Sequence, residues 1–312
     1  MKYDVQEDRF TEFWDFLHER QNIYHQKEVA QEEPPWTDDP ILQNRHFCNI
    51  FRELDRTTEH YLDNYVDEGY DPDQVFFTTL MYRLFNSTET MDIVGIQDPH
   101  DFHPEELKRE ILNAESRGDI ETMFSSAYMT TGALCNEGER KMSAYVREVF
   151  EYVANNLDRF WSSHFTDDFD PKSTPEQWNS ELTEIPGLSD FIAYEVYTDM
   201  TYHDWFPWDE NDFVNLGPGA RRGTNRILGE DEIEKKHIDD YVDFMTWIRD
   251  VQDDYIRDDF KSDKELTLRT AEHSLCEFDK FRRAHEARED GGAVRLRRYE
   301  AEQTSTSGFG EF

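Results

Sequence analysis

The sequence predicts an all-α fold, and three observations carry that prediction. Apolar side chains recur at three- and four-residue spacing along most of the chain, alternating β-branched runs are nearly absent, and proline and glycine punctuate the periodic stretches. The expected architecture is a two-lobed helical domain over residues 1–289 with a cleft between its lobes, followed by a mostly disordered tail over 290–312.

The elements follow in order. Phe10, Phe13, Trp14, Leu17 and Tyr24 share one stripe, so a helix spans Phe10 to Tyr24, with Glu19 and Arg20 off its centre as surface ion-pair formers. Pro34, Pro35 and Pro40 bracket an irregular segment. Asp39-Pro40 has the form of an N-cap followed by proline at the first helical position, and Phe47, Ile50, Phe51 and Leu54 extend a helix from Ile41 to Leu54. Its other face carries Arg45, Asn49, Arg52, Asp55 and Arg56, a pattern that suits a solvated ion-pair face. After a polar link from Tyr61, Val75, Phe76, Leu80, Leu84 and Phe85 mark an inward helical face. Further helices are expected over Pro104 to Ala114, Met123 to Leu134, Met142 to Trp161, Ile238 to Tyr255 and Leu266 to Ala287, the last with Cys276 as a small core side chain. No repeat period is visible.

Two backbone-driven anion sites fall between Leu182 and Gly229. In I-P-G-L, Pro186 fixes φ, Gly187 supplies the positive φ, and Ser189 or Asp190 caps the helix that follows. In G-P-G-A-R-R-G, Gly217, Pro218 and Gly219 open a helix bearing Arg221, Arg222 and Arg226, where free amides and the helix dipole favour phosphate. The plainer alternative is a Gly/Pro-rich loop joining two core helices.

Acidic residues number 70 against 33 basic ones, for a net charge of −37 spread along the whole chain. Surface adaptation to high salt is favoured over mere avoidance of nucleic acid. High salt weakens phosphate contacts steeply, so any DNA binding would lean on stacking, hydrogen bonds and oriented dipoles. The 23 Phe, 15 Tyr and 7 Trp supply rings for both core and stacking. Cys48, Cys135 and Cys276 lack CxxC spacing, which supports neither a disulfide framework nor a zinc site. No apolar run approaches 18 residues and the N-terminus shows no signal-peptide pattern, so a soluble protein of the cytoplasm, in a halophilic host or virus-infected cell, is expected without membrane contact. The sequence lacks G-x-x-x-x-G-K-[S/T], H-E-x-x-H and G-x-S-x-G, and no metal or cofactor is expected.

The I-P-G-L and G-P-G motifs resemble the hairpin and following helix of helix-hairpin-helix DNA glycosylases. In that family an L-P-G-x-G turn donates amides to DNA phosphate, and an L-D-G-x-V-x-R-x-x-x-R segment carries the catalytic aspartate. Here Leu216, Arg222 and Arg226 match, but Gly217 stands at the aspartate position and Ser189 replaces the second turn glycine.

A broader resemblance rests on ordered blocks: F-W-x-F-x-x-E-R-x-x-I-Y, P-W-T-D-D-P-I-L-Q, F-C-N-I-F-R-E-L-D-R, Y-R-L-F-N at Tyr82 to Asn86, A-Y-M at Ala127 to Met129, I-P-G-L, G-P-G-A-R-R-G and S-L-C-E-F-D-K at Ser274 to Lys280. Together they are similar to the helical domain named for 5-hydroxymethyl-deoxyuridine DNA kinases and the allied α-glutamyl/putrescinyl thymine pyrophosphorylases, families associated mainly with phages that hypermodify thymine. The resemblance covers most of the chain. It implies DNA with a modified thymine base as partner, a separate kinase or other hypermodification enzymes alongside, and group transfer at the exocyclic methylene of a flipped 5-hydroxymethyluracil derivative.

Such chemistry assigns roles. Trp36, Trp205 and Trp208 fall in loops suited to stacking on an extruded base. Pro186, Gly187, Gly217, Gly219, Arg221, Arg222 and Arg226 would hold phosphate or a departing pyrophosphate. Asp38, Asp39 and Asp55 are candidates for a general base or for orienting Arg45 and Arg52, with helix capping and ion pairing as the bland alternative. Arg45, Arg52 and Arg222 are expected to share one pocket. Two other functions stay open: a non-catalytic DNA-binding module using I-P-G-L as a phosphate clip, or a glycosylase whose carboxylate has moved to Asp199 or Asp212.

Overall fold

A computed structural model describes residues 2–66, 68–125, 133–229 and 238–292, and its regular elements among these are helices. In chain order they are Glu7–Tyr24 (α1), Pro40–Asn44 (α2), Arg56–Tyr65 (α3), Pro72–Phe85 (α4), Thr88–Val94 (α5), Pro104–Arg117 (α6), Lys141–Tyr145 (α7), Glu151–Asn155 (α8), Pro175–Leu182 (α9), Asp190–Met200 (α10), Pro218–Leu228 (α11), Ile238–Asp250 (α12), Gln252–Tyr255 (α13) and Leu268–Glu289 (α14). The chain divides into two compact units: Met1–Leu54 with Leu216–Phe312, and Asp55–Asn215. The expected helix end around Tyr128 and Met129 and the expected tail beyond residue 292 lie outside the described residues.

In the first unit α14 is the central helix, packed on α11, α12, α1 and α2. Thr267 caps it by accepting the Thr270 amide at 3.1 Å. The buried stripe of α1 is wider than its apolar spacing suggests, because it includes Arg20 and Gln21. Arg20 is not a surface ion-pair former: it donates to the carbonyls of Phe47 and Cys48 at 3.3 and 3.0 Å. From α14, Glu277 accepts the Cys48 amide at 3.1 Å. These two side chains satisfy backbone groups that a helix would have paired internally, and the expected helix from Ile41 to Leu54 accordingly stops at Asn44. Phe47, Ile50 and Phe51 are buried all the same. Their three- and four-residue spacing imitates a helix in a segment that runs extended and then turns through a short 3-10 stretch at Arg52–Leu54.

The second unit is built around α4 and α10, which pack on each other and are buried along nearly their whole length. Helices buried all round must place their polar side chains against one another. Arg83 on α4 and Asp199 on α10 are both wholly buried and form a two-pronged ion pair, Nη2 lying 2.6 Å from Oδ1 while Nε meets Oδ2. Asn86 ends α4 in the left-handed conformation and accepts from Arg83 at 3.3 Å. The Tyr82 and Tyr61 rings flank the guanidinium at 5.2 and 6.0 Å. The Y-R-L-F-N block therefore serves the scaffold.

Beside that pair runs a directional relay. Thr79 Oγ1 donates to the Val75 carbonyl at 2.7 Å, so it accepts from Tyr61 at 2.7 Å, and Tyr61 in turn accepts from His203 Nε2 at 2.8 Å. Burial holds the His203 pKa down to about 4, and burial followed by the Asp199 charge pushes the Tyr61 hydroxyl well up.

The rest of this core is aromatic. Trp178 is fully buried and donates its indole N–H to the Phe160 carbonyl at 2.8 Å, with Trp161, Phe165, Phe206 and Trp208 around it. The expected single helix from Met142 to Trp161 is interrupted: wider π turns occupy Val146–Phe150 and Asp158–Ser162, and Asn156 leaves helical geometry between them.

Two outcomes follow from the buried network. Asp199→Asn should lower stability by about 3–5 kcal/mol in urea unfolding, since it leaves the Arg83 charge buried and unpaired. Unfolded His203 takes a proton near its ordinary 6.5, whereas the folded group resists until about 4. Its contribution is thus present above 6.5 and is lost as pH falls from there towards 4. A His203→Gln variant should show a shallower fall in unfolding midpoint over that window than the parent protein.

Candidate functional site

The most chemically promising surface lies on the α11–α14 pair of the first unit. α11 presents Gly219 and Gly223 four residues apart on one face. A Cβ at Gly219 would overlap the Cys276 Sγ, and one at Gly223 would overlap the Leu275 carbonyl oxygen. The two helices therefore meet backbone to side chain and backbone to backbone, which only glycine permits. Because the helices lie so close, arginines flanking the contact on α11 reach acidic residues on α14.

Asp279 receives two of these cations and a third, Arg283, from its own helix, although its side chain has no exposed surface. Arg222 Nε donates to Oδ2 at 2.7 Å, Arg283 Nε donates to the same oxygen at 3.0 Å, and Arg226 Nε donates to Oδ1 at 2.9 Å. Arg226 also places its two terminal nitrogens on Glu286, at 2.6 and 3.1 Å. Burial acts to lower the Arg226 pKa, but Glu286 and Asp279 outweigh it and the net shift is upward. Arg221, one position away, is exposed and lies over the Tyr241 ring at 6.0 Å. Arg222, Arg226 and Arg283 thus gather around Asp279 and Glu286 with Arg221 nearby, a local positive excess on a protein of net charge −37.

The expected glycine floor for phosphate needs correcting. The Gly217 amide donates to Glu272 Oε1 at 3.3 Å, so a carboxylate of the protein already stands at the helix entrance. Gly219 is buried against Cys276 and serves helix packing. The Cys276 thiol is pushed up to about 12, by burial first and then by Glu272, Glu277 and Asp279, which suits a core side chain and not a nucleophile.

Other expected site residues take varied places. Asp39 caps α2, accepting the Ile41 and Leu42 amides at 2.7 and 3.0 Å, and its other oxygen lies 3.0 Å from His285 Nε2. Asp38 is exposed, Arg45 ends α2, and Arg52 is buried in the 3-10 turn. Asp55 stands at the N-cap position of α3 in the second unit. The Pro186-Gly187 corner also belongs to the second unit: Gly187 has φ +81°, Leu188 donates to the Ile185 carbonyl at 3.1 Å, and Ser189 caps α10 through the Ile192 amide at 3.3 Å. The local turn is as expected, while the two proposed anion corners fall in different units.

Among the tryptophans, Trp36 donates to the Glu32 carbonyl at 2.6 Å, and Trp205 is half-buried on His203 and Phe169. Trp208 is buried among Phe165, Trp178, Tyr197 and Phe206, so its ring is spent on the core and is not open to a base. Asp199, held by Arg83, is equally closed to any substrate. Asp212 accepts the Asp209 amide at 2.8 Å in an exposed turn. Among the described residues no group of three or more His, Cys, Asp or Glu could hold a metal, and no helix is long and apolar enough to cross a membrane.

Sequence reasoning missed Asp279, Arg283 and Glu286. The available signal was the S-L-C-E-F-D-K block together with the four-residue step from Asp279 to Arg283.

Residues 7–290 match the family described as 5-hmdU DNA kinase, helical domain. The chain is also 30% identical over 289 residues to a curated protein named 5-hmdU DNA kinase from Bacillus phage SP10, an alignment that covers 86% of this chain and 44% of that protein. The chain thus spans less than half the length of that relative. No solved structure matches.

The close helix approach gives a direct expectation. Gly223→Ala should cost about 3 kcal/mol, because the new methyl meets a backbone carbonyl that cannot step aside. Gly217→Ala, whose methyl would meet the mobile end of Glu272 at 3.3 Å, should cost less than about 1 kcal/mol in the same chemical-denaturation measurement.

Proposed function

We propose, from the premise that this chain belongs to the 5-hmdU DNA kinase helical-domain family, that it supplies the DNA-recognising part of an activity directed at 5-hydroxymethyluracil in DNA. The observation that carries this function is the family match across residues 7–290. The arginine group on α11 and α14 gives it a chemical basis, since it offers phosphate a locally positive surface on an otherwise acidic protein.

The reaction that fits is phosphoryl transfer to the hydroxyl oxygen carried by the exocyclic methylene. The hydroxymethyl oxygen of the base attacks a phosphoryl group, a new O–P bond forms as the bond to the donor's leaving group breaks, and the hydroxyl proton passes to a base. The sequence holds no G-x-x-x-x-G-K-[S/T], so the phosphoryl donor would be held by another domain or polypeptide. Within this chain Arg222, with Arg221 beside it, is assigned to phosphate, while Arg226 braces Asp279 and Glu286. In the second unit Pro186 and Gly187 are assigned to a phosphate contact of their own. The exposed Asp38 is the carboxylate of its pair left open to act as base, because Asp39 is committed to capping. A glycosylase role for Asp199 is disfavoured by its enclosure with Arg83.

The test pairs binding with product analysis. Fluorescence anisotropy should show tighter binding to a duplex containing 5-hydroxymethyluracil than to the same duplex with thymine. Nucleoside mass spectrometry should show a phosphorylated base only when a nucleotide-binding partner and nucleoside triphosphate are added. Equal affinity for both duplexes without any product would reduce the chain to a general DNA-binding module. Absence of DNA binding at low and at molar salt would refute the proposal.

A further inference from the structure

The geometry points to a two-pronged phosphate receptor made by Arg222 and Arg283, with Asp279 as the residue that positions both. This deepens the DNA-directed function above, and rests on it only for where the phosphate comes from.

A guanidinium has two usable edges for bidentate binding, and which edge is spent decides what remains. Arg222 and Arg283 each give only Nε to Asp279, and both give it to the same oxygen, Oδ2. No other partner of either side chain is found among the described residues, and both are about half exposed, at 50% and 51%. Each therefore keeps its paired terminal nitrogens, the edge that matches two phosphate oxygens, directed away from the anchor.

The neighbouring arginines show the contrast. Arg226 is 23% exposed and has filled its terminal edge with Glu286, so it braces Asp279 and is not a third prong. Arg282 is 9% exposed and divided between Glu12 at 2.6 Å and Glu286 at 3.8 Å. Elsewhere on the surface, Arg140 gives its terminal nitrogen to Glu115 and Arg147 gives its own to Glu139 and Glu148. Arg222 and Arg283 differ from these two in keeping their terminal edges open.

Burial of the shared carboxylate supports the assignment. Asp279 has no exposed surface, so salt screens its hold on the arginines poorly and the prongs stay ordered before any ligand arrives. Arg222, Arg226, Arg282 and Arg283 face the carboxylates of Asp279, Glu286 and Glu12, a positive excess that an incoming phosphate oxygen would neutralise. The chemistry recognised is a phosphate group. It could be a phosphodiester of the DNA backbone or a small terminal phosphate or pyrophosphate.

The experiment uses the full chain with Arg222→Gln, Arg283→Gln and Arg283→Lys, and Arg147→Gln as the comparison. The probes are a labelled duplex containing 5-hydroxymethyluracil, read by anisotropy across a salt series, and inorganic phosphate and pyrophosphate, read by calorimetry. Each glutamine variant should weaken binding about tenfold and reduce the salt dependence by about one phosphate contact. Arg283→Lys should fall between them and the parent, because it keeps the charge and loses the planar edge. Arg147→Gln should bind as the parent does. Loss confined to the duplex identifies a backbone phosphate, and loss confined to the inorganic anions identifies a small phosphate. A parent that binds phosphate or pyrophosphate through these arginines but ignores DNA would uphold the receptor and overturn the DNA-directed function. A parent that binds DNA with both glutamine variants unimpaired on every probe would do the reverse. A parent that binds none of the probes overturns the receptor outright.

Discussion

The first unit depends on how closely α11 can approach α14. With Gly219 and Gly223 against Cys276 and Leu275, there is no room for even one added carbon, and the helices are held at a separation that side chains would forbid. That separation brings Asp279 within reach of α11. A buried carboxylate without cations would be costly; one met by Arg222, Arg226 and Arg283 is compensated, and the arginines are in turn fixed in place. Packing at small residues thus sets the electrostatics of the neighbouring surface.

The second unit solves a similar problem in the opposite way. Arg83 and Asp199 are sealed in its centre, bidentate and flanked by tyrosines, with no open edge on the guanidinium for a ligand. The same residue types thus serve two purposes, decided by exposure. Where the arginine is wholly enclosed it joins helices, and where only its inner edge is anchored it is available to phosphate.

Much of the helical plan was legible. α1, α4, α6, α10, α11 and α14 carry apolar residues at helical spacing, and the caps at Asp39 and Ser189 follow from local hydrogen-bond chemistry. The segment after Asn44 was misread because Phe47, Ile50 and Phe51 keep a helical rhythm while Arg20 and Glu277, far away in sequence, take up the backbone polar groups. Trp208 was misread for a related reason: a loop position shows nothing of the aromatic cage that closes around it. On the candidate site, Arg222 and Arg226 could be picked out beside a glycine-rich helix start, but their acidic anchor could not.

Local preference and the ordered family blocks were enough to establish an all-helical member of the 5-hmdU DNA kinase helical-domain family, because periodicity, caps and short motifs are properties of neighbouring residues. Which arginines are enclosed, which are anchored by one edge, and which glycines serve packing instead of ligand binding were settled only by folding. Apart from the four-residue step from Asp279 to Arg283, those outcomes depend on contacts between residues more than fifty positions apart, which no local pattern encodes.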